Sequence, residues 1–356
     1  MSEAAGTFAD SPPAAARREG SGRAVRLWLW GLALLVMAMV AVGGATRLTG
    51  SGLSITEWKP VTGAVPPLSE AAWTAEFEKY RASSQYRNLN QGMGLAEFKT
   101  IYWWEWSHRQ LGRFLGLYFF LPLGWFRWRG MVSTPLALGL VGIGALGGLQ
   151  AGIGWIMVAS GLEPGMTAVA PLKLMLHLVV ASTILALIVW VAAGLEPPRR
   201  QDGTGGIARA AKALVALVLL QVALGALVAG SHAGFTYNTW PLMDGRLFPE
   251  TSALLAVKPW IENFVDNPLT VQFNHRLVAY AIVLAALWHA VAARGGEAAG
   301  RAGLLAGVAL AQAALGITTL LLVVPLWAGL SHQLLAMLLL AVAVHHARRS
   351  ALGAIG

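Results

Sequence analysis

Eight stretches of this chain are apolar over the length that crosses a bilayer, at approximately residues 26 to 45, 108 to 127, 136 to 158, 171 to 193, 211 to 230, 274 to 293, 302 to 324 and 326 to 346. A spanning helix takes roughly 20 such residues, because lipid offers no partner to a backbone N–H or C=O outside the helix. The fold class expected is therefore all-α and polytopic, with eight transmembrane helices. The 56% hydrophobic and 12% charged content, with a mean hydropathy of +0.59, is too apolar for a soluble pair of domains.

A net charge of +9 raises the question of nucleic acid, and the positions of the cations answer it. Arg17, Arg18, Arg23 and Arg26 precede the first span, and Arg127, Arg129, Arg294 and Arg301 lie at two short loops. Arg199, Arg200, Arg209 and Lys212 fall in or beside the middle linker, and Arg348 and Arg349 in the tail. By the positive-inside rule these face the cytoplasm. With an even number of spans, both termini of a multi-pass protein of the bacterial inner membrane then lie there. The basic charge reads as topology, so the partner is the lipid bilayer and not nucleic acid. The chain has no cysteine, which excludes disulfides, iron–sulfur clusters and thiolate ligands.

Residues 1–25 read as a disordered cytoplasmic tail without the apolar core of a signal peptide. A loop of about 60 residues follows the first span, too long for a simple connection. It contains a helix expected from a Ser69 cap to about Arg81, and a second amphipathic stretch from Leu95 that feeds the next span. Trp103, Trp104 and Trp106 suit an interfacial aromatic belt.

The Pro- and Gly-rich segment 196–210 reads as a cytoplasmic linker. It separates a four-helix unit, residues 26–195, from a second, residues 211–347, with residues 348–356 as a cytoplasmic tail. Gly50-Ser-Gly52 answers to Gly230-Ser-His232, and His108-Arg109 to His275-Arg276. His177 and His332 stand at similar depths in the fourth and eighth spans. The chain thus reads as two pseudo-symmetric four-helix bundles in parallel orientation. Gln150 with Gly154, Gln221 with Gly225, and Gln312 with Gly316 repeat a spacing of four residues that puts both on one helix face, which reads as helix packing.

His108, His177, His275 and His332 fall in the outer half of the membrane, two per unit. An ionisable group in the bilayer is costly and usually marks a function. One histidine on each of two facing helices suits axial ligation of a haem iron, the alternative being a bond to a neighbouring helix. Arg109, Arg113 and Arg276 are candidates for holding haem propionates, and Arg47 is another, with an ordinary interfacial role equally open to it. His289, His345 and His346 read as solvated or interfacial, and His232 lies in the second outer loop with no counterpart in the first.

One difference breaks the repeat. Glu105 stands three residues before His108, where the second half has Gln272 three before His275. Glutamine cannot ionise, so the first half reads as a reactive site and the second as an electron-transfer haem. A carboxylate paired with Arg109 or Arg113 is the competing account of Glu105.

The run Glu97-Phe-Lys-Thr-Ile-Tyr-Trp-Trp-Glu-Trp-Ser-His-Arg-Gln-Leu-Gly-Arg113, the run Thr46-Arg-Leu-Thr-Gly-Ser-Gly-Leu-Ser54 and the run Tyr237-Asn-Thr-Trp-Pro-Leu-Met243 resemble the haem A synthase family, over residues 26 to 346. The resemblance implies eight helices in two bundles, and oxidation of the C8 methyl of haem O to a formyl group, giving haem A for terminal cytochrome oxidase. It puts the four iron ligands on His108, His177, His275 and His332 and the essential carboxylate on Glu105. One branch of the family carries loop cysteine pairs, and this chain resembles the other. Substrate haem O and product haem A would then belong to His108 and His177, and a resident haem b to His275 and His332. If both His108 and His177 hold the substrate iron, no position on it is left for dioxygen, so one ligand must be weak or leave, or the oxidant acts by another route. A membrane electron donor is required, haem O synthase is a partner by family analogy, and a homo-oligomer is compatible with the chain. A di-haem b-type electron-transfer cytochrome that leaves its haem unmodified fits the four histidines equally, with Glu105 against it. A transporter is disfavoured because no ionisable groups line the inner half.

Overall fold

A computed structural model describes residues 14–197 and 205–353, and those residues form helices joined by turns, with no strand. The long helices are α1 (Ala14–Leu48), α4 (Leu95–Trp128), α5 (Thr134–Gly161), α6 (Pro171–Gly194), α7 (Gly205–Gly230), α10 (Pro268–Ala292), α11 (Ala299–Leu321) and α12 (Leu326–Gly353). Two loops carry the short ones, α2 (Glu70–Arg81) and α3 (Ser84–Leu89) in the first, α8 (Thr251–Leu254) and α9 (Asn263–Asp266) in the second.

Seven of the long helices are apolar enough over their length to cross a membrane. The other is α4, which has 34 residues and contains the expected span 108 to 127. Its first half carries Glu97, Lys99, Glu105, His108, Arg109 and Arg113, which lower its apolarity. Side chains facing outward on the seven are large and apolar, as lipid contact requires: Leu34, Leu138, Leu284 and Trp288 are each more than 60% exposed.

Helix ends follow local chemistry. Ser69 accepts a hydrogen bond from Ala72 N and starts α2, as expected. Glu97 reaches back to Gly94 N at 2.9 Å, so α4 begins at Leu95 and runs unbroken through the tryptophans. Pro171 and Pro268 stand at the first turns of α6 and α10, where a missing N–H costs nothing. Some boundaries differ from the sequence reading. The stretch 1–25 expected to be a disordered tail is helical from Ala14, because Ala14-Ala-Ala-Arg-Arg18 are strong helix formers, while its residues 1–13 lie outside the described residues. Likewise α7 starts at Gly205 inside the expected linker and α12 continues to Gly353, while the remainder of the linker, residues 198–204, lies outside the described residues.

The core lies where α1, α6, α7 and α12 meet, filled by Leu29, Leu32, Leu185, Ile188, Leu214, Val218, Met337 and Leu340. Against it, α4 packs on α1 and α5, α5 packs on α6, α10 packs on α7, α11 packs on α12, and α10 and α11 pack on each other. A smaller core of Ile55, Trp73, Tyr80, Phe98 and Tyr102 folds the first long loop onto the start of α4. Gln85 donates to Gly50 O at 3.1 Å and fastens that loop to the exit of α1.

Candidate functional site

His108 on α4, His177 on α6, His275 on α10 and His332 on α12 all stand near the end of the helix array that bears the two long loops. Each imidazole is seated on a glycine of an adjacent helix. A Cβ added at Gly43 would come to 2.8 Å from His108 Nε2, and one at Gly154, Gly225 or Gly316 to 2.8, 3.1 or 2.7 Å from Cε1 of His177, His275 or His332 respectively. No side chain larger than hydrogen leaves those rings where they are.

The glutamines one turn from three of these glycines do more than pack helices. Gln150 Nε2 donates to the main-chain oxygen of His177 at 2.9 Å and lies 3.0 Å from its Nδ1. Gln221 repeats this at His275, with 2.9 Å to the oxygen and 3.3 Å to a ring nitrogen, and Gln312 at His332 with 3.1 and 3.2 Å. The spacing of Gln and Gly was legible in the sequence. Its target was not, because sequence does not say which neighbouring helix a face meets.

Glu105 is buried, and its carboxylate holds three groups. Oε2 accepts from Ser54 Oγ and from Ile55 N, both at 2.8 Å, and Oε1 accepts from Arg109 Nη2 at 2.6 Å. Gln272 occupies the matching place with the opposite polarity. Its Nε2 donates to Ala233 O and Thr236 O at 2.7 Å each, and its Oε1 accepts from Arg276 at 2.8 Å. The loop at α1 offers donors and needs a carboxylate, whereas the loop at α7 offers carbonyls and needs an amide. That polarity accounts for the Glu/Gln difference that the sequence presents as a sign of reactivity.

The arginines beside them are occupied by loop carbonyls. Arg109 donates to Glu57 O and Ile55 O at 2.9 and 2.8 Å, Arg113 to Pro60 O and Lys59 O at 2.9 Å each, and Arg276 to Tyr237 O at 2.8 Å. Arg47, at the last turn of α1, makes no such bond among the described residues. Burial and the Arg47 charge push the His232 imidazole below its ordinary value, so Arg47 and His232 lie near each other at the loop end.

A profile described as cytochrome oxidase assembly protein, COX15-CtaA, matches residues 26–344. The chain belongs to that family. It is 65% identical over 329 residues to the heme A synthase of Methylobacterium sp. (strain 4-46), covering 91% of each chain. It is 63% identical to the heme A synthase of Methylorubrum populi, covering 96% of this chain and 90% of the relative, and 52% identical to that of Azorhizobium caulinodans, covering 95% and 96%.

One feature of the chain was not foreseen. His289 and His346, expected to be solvated or interfacial, are fully buried, with their Nε2 atoms 2.7 Å apart. They stand near the same ends of α10 and α12, 57 residues apart in the chain, and only the packed helices bring them together as a mutual donor and acceptor. His345 does bond an interfacial group, Glu196, at 3.0 Å. Trp103 and Trp104 are exposed on α4, and Trp103 also packs on Trp73 of α2.

Proposed function

We propose that this chain is a haem A synthase, which oxidises the C8 methyl group of haem O to a formyl group through two successive oxidations, by way of the alcohol. Close relatives that bear that name align over nine-tenths of the chain. The observation that carries the reading is the set of four glycine-seated histidines, two in each half of the internal repeat. Among the described residues no three His, Asp or Glu converge as a cage for a bare ion. Pairs of neutral imidazoles are what axial coordination of a haem takes. A bound haem supplies redox chemistry at its iron, and the protein supplies position and electrostatics.

In this reading α4 is the eighth span, and the helices form two four-helix units of one orientation, with the loop end outside the cytoplasm. His108 and His177 hold the substrate haem, and His275 and His332 a haem b that relays electrons. Arg47, whose guanidinium no loop carbonyl occupies among the described residues, is the best-placed of the four arginines for a propionate. Arg109, Arg113 and Arg276 hold the loops in place over the sites. Glu105 positions the first loop and, one turn from His108, is the group available to hold or move a proton at the loop end.

Expression with a source of haem O, followed by extraction and chromatography of the non-covalent pigment, tests the function. Haem A or its alcohol precursor is the expected product. A folded protein carrying only haem b and unaltered haem O would instead be the electron-transfer cytochrome.

A further inference from the structure

Three histidines stand at the end of the helix array opposite the two long loops, and all three belong to the second half of the chain. His289 and His346 are fully buried and share a hydrogen bond through their Nε2 atoms. His345, partly exposed, lies 3.0 Å from one oxygen of Glu196, whose other oxygen is 3.6 Å from Arg349 Nε. Counted from the histidines that the two halves share, the first half has Pro122, Trp190 and Val191 where the second has His289, His345 and His346. Helix packing alone asks for no imidazole at such places, and ionisable groups in spanning helices usually mark a function.

A cavity of about 270 Å³ opens beside them between α1, α11 and α12. Leu304, Leu338, Ala341 and Val342 form its walls, and Leu304 and Leu338 are themselves exposed, so it faces the lipid side of the array. Its polar lining is His345, His346 and Arg301, and Trp30 adds a flat aromatic face, its ring 6.1 Å from that of His345. The space admits one substituted ring and not a porphyrin. Apolar walls with a few convergent polar groups suit a molecule dissolved in the bilayer, and imidazoles suit hydroxyl groups that must give up protons. An anion fits less well, because the Glu196 carboxylate stands against His345.

We propose that this cavity binds a quinol, the electron donor to the haem of the second half. This rests on the haem reading above. Oxidation of the quinol breaks two O–H bonds. The two protons pass to the His345 and His346 imidazoles and on to the aqueous face at that end. The two electrons pass, one at a time, to the iron held by His275 and His332, and the quinone returns to the bilayer. The bond to His289 gives a proton arriving at His346 a second acceptor. His346 follows His332 on α12, and His289 follows His275 on α10, each by roughly four turns, or about 21 Å, along the same helix face. The two helices that hold the electron-relaying haem thus carry the donor's proton acceptors at their other end.

Anaerobic reduction of the full-length, haem-loaded protein by decylubiquinol, followed by absorbance of the haem, tests it. The rate in the wild type should saturate with quinol. Ala341→Phe and Leu304→Trp, which fill the cavity from α12 and from α11, should each raise the half-saturating concentration by about tenfold or more. Haem content and the dithionite-reduced spectrum should stay as in the wild type. A wild type that converts haem O yet is not reduced by decylubiquinol, or is reduced with kinetics that both substitutions leave unchanged, overturns the proposal while leaving the haem reading intact. Release of co-purified anionic phospholipid by both substitutions, with unchanged quinol kinetics, overturns it in favour of a lipid headgroup. Absence of any haem from folded wild-type protein overturns both.

Discussion

Little room is left beside four imidazoles of this protein. Gly154 approaches His177 so closely that a methyl group would stand 2.8 Å from Cε1, whereas Gly152 on the same helix has nothing within 4 Å of the equivalent point. Gly154→Ala should displace the ring, destabilise the protein by about 1–3 kcal/mol through overpacking, and lose the pigment of that site. Gly152→Ala should keep both pigments and be neutral or more stable by about 0.5–1 kcal/mol, from helix propensity. Absorption spectra and melting midpoints of the two variants separate a seat from a merely small residue. Glu105 calls for a different comparison. In Glu105→Gln the oxygen can still accept from Arg109, but the amide would face the Ile55 N–H, donor against donor. Loss of that buried bond costs about 1–3 kcal/mol. If the carboxylate also carries a proton, product formation should fall by roughly a hundredfold or more with both haems retained. Normal turnover in a variant of lowered melting point would leave Glu105 a purely structural role. The sequence disclosed the four histidines and the Glu/Gln difference. The polarity of Ser54 and Ile55 against that of Ala233 and Thr236 was hidden, since it depends on which backbone groups the loops turn inward.

At the level of elements, the first long loop behaves as a small domain clamped over α4. Besides its aromatic core it has a cluster of charges in which Glu57 lies 2.5 Å from Lys59 and 2.7 Å from Lys79, with Glu76 2.9 Å from Lys79. The hydrogen bond from Lys59, then that from Lys79, holds the Glu57 carboxyl down from 4.5 to about 2. A carboxyl depressed on folding stabilises the loop above its unfolded value and stops doing so once it is protonated. The contribution is therefore intact above about pH 4.5 and disappears toward pH 2. Since Glu57 is 42% exposed, solvent screens it and the effect is modest and weaker in salt. Fluorescence of Trp73, packed in that loop, should report loosening within this acid window in the wild type. In Glu57→Gln the same loosening should be present already at neutral pH and vary less with acid. Much of this element was foreseeable: Ser69 and Leu95 mark real helix starts, because caps are local. The clamp of Arg109 and Arg113 on loop carbonyls was not, because it depends on which carbonyls the folded loop turns toward α4.

For the whole molecule, the decisive element is α4. Apolar length alone picks out seven helices, yet α4 lies between α1 and α5 and carries one of the four histidines of the proposed site. Hydropathy undervalues it for the same reason that it matters, since Glu105, His108, Arg109 and Arg113 replace apolar residues where it meets the loop. Intramembrane polar groups are tolerated when they face other helices and find partners, as Glu105 and Arg109 do. Whether α4 crosses the bilayer fixes the sidedness of the chain. The chain contains no cysteine, so single cysteines report without background. Glu70, in the first loop, and Arg129, just past α4, are both exposed. With α4 spanning, Glu70→Cys should react with a membrane-impermeant maleimide from the outer face of intact spheroplasts, and Arg129→Cys only after the membrane is opened. Equal labelling of both from outside would place α4 along the surface. The two termini would then lie on opposite sides of the membrane, and His108 would be separated from the membrane depth of the other three histidines.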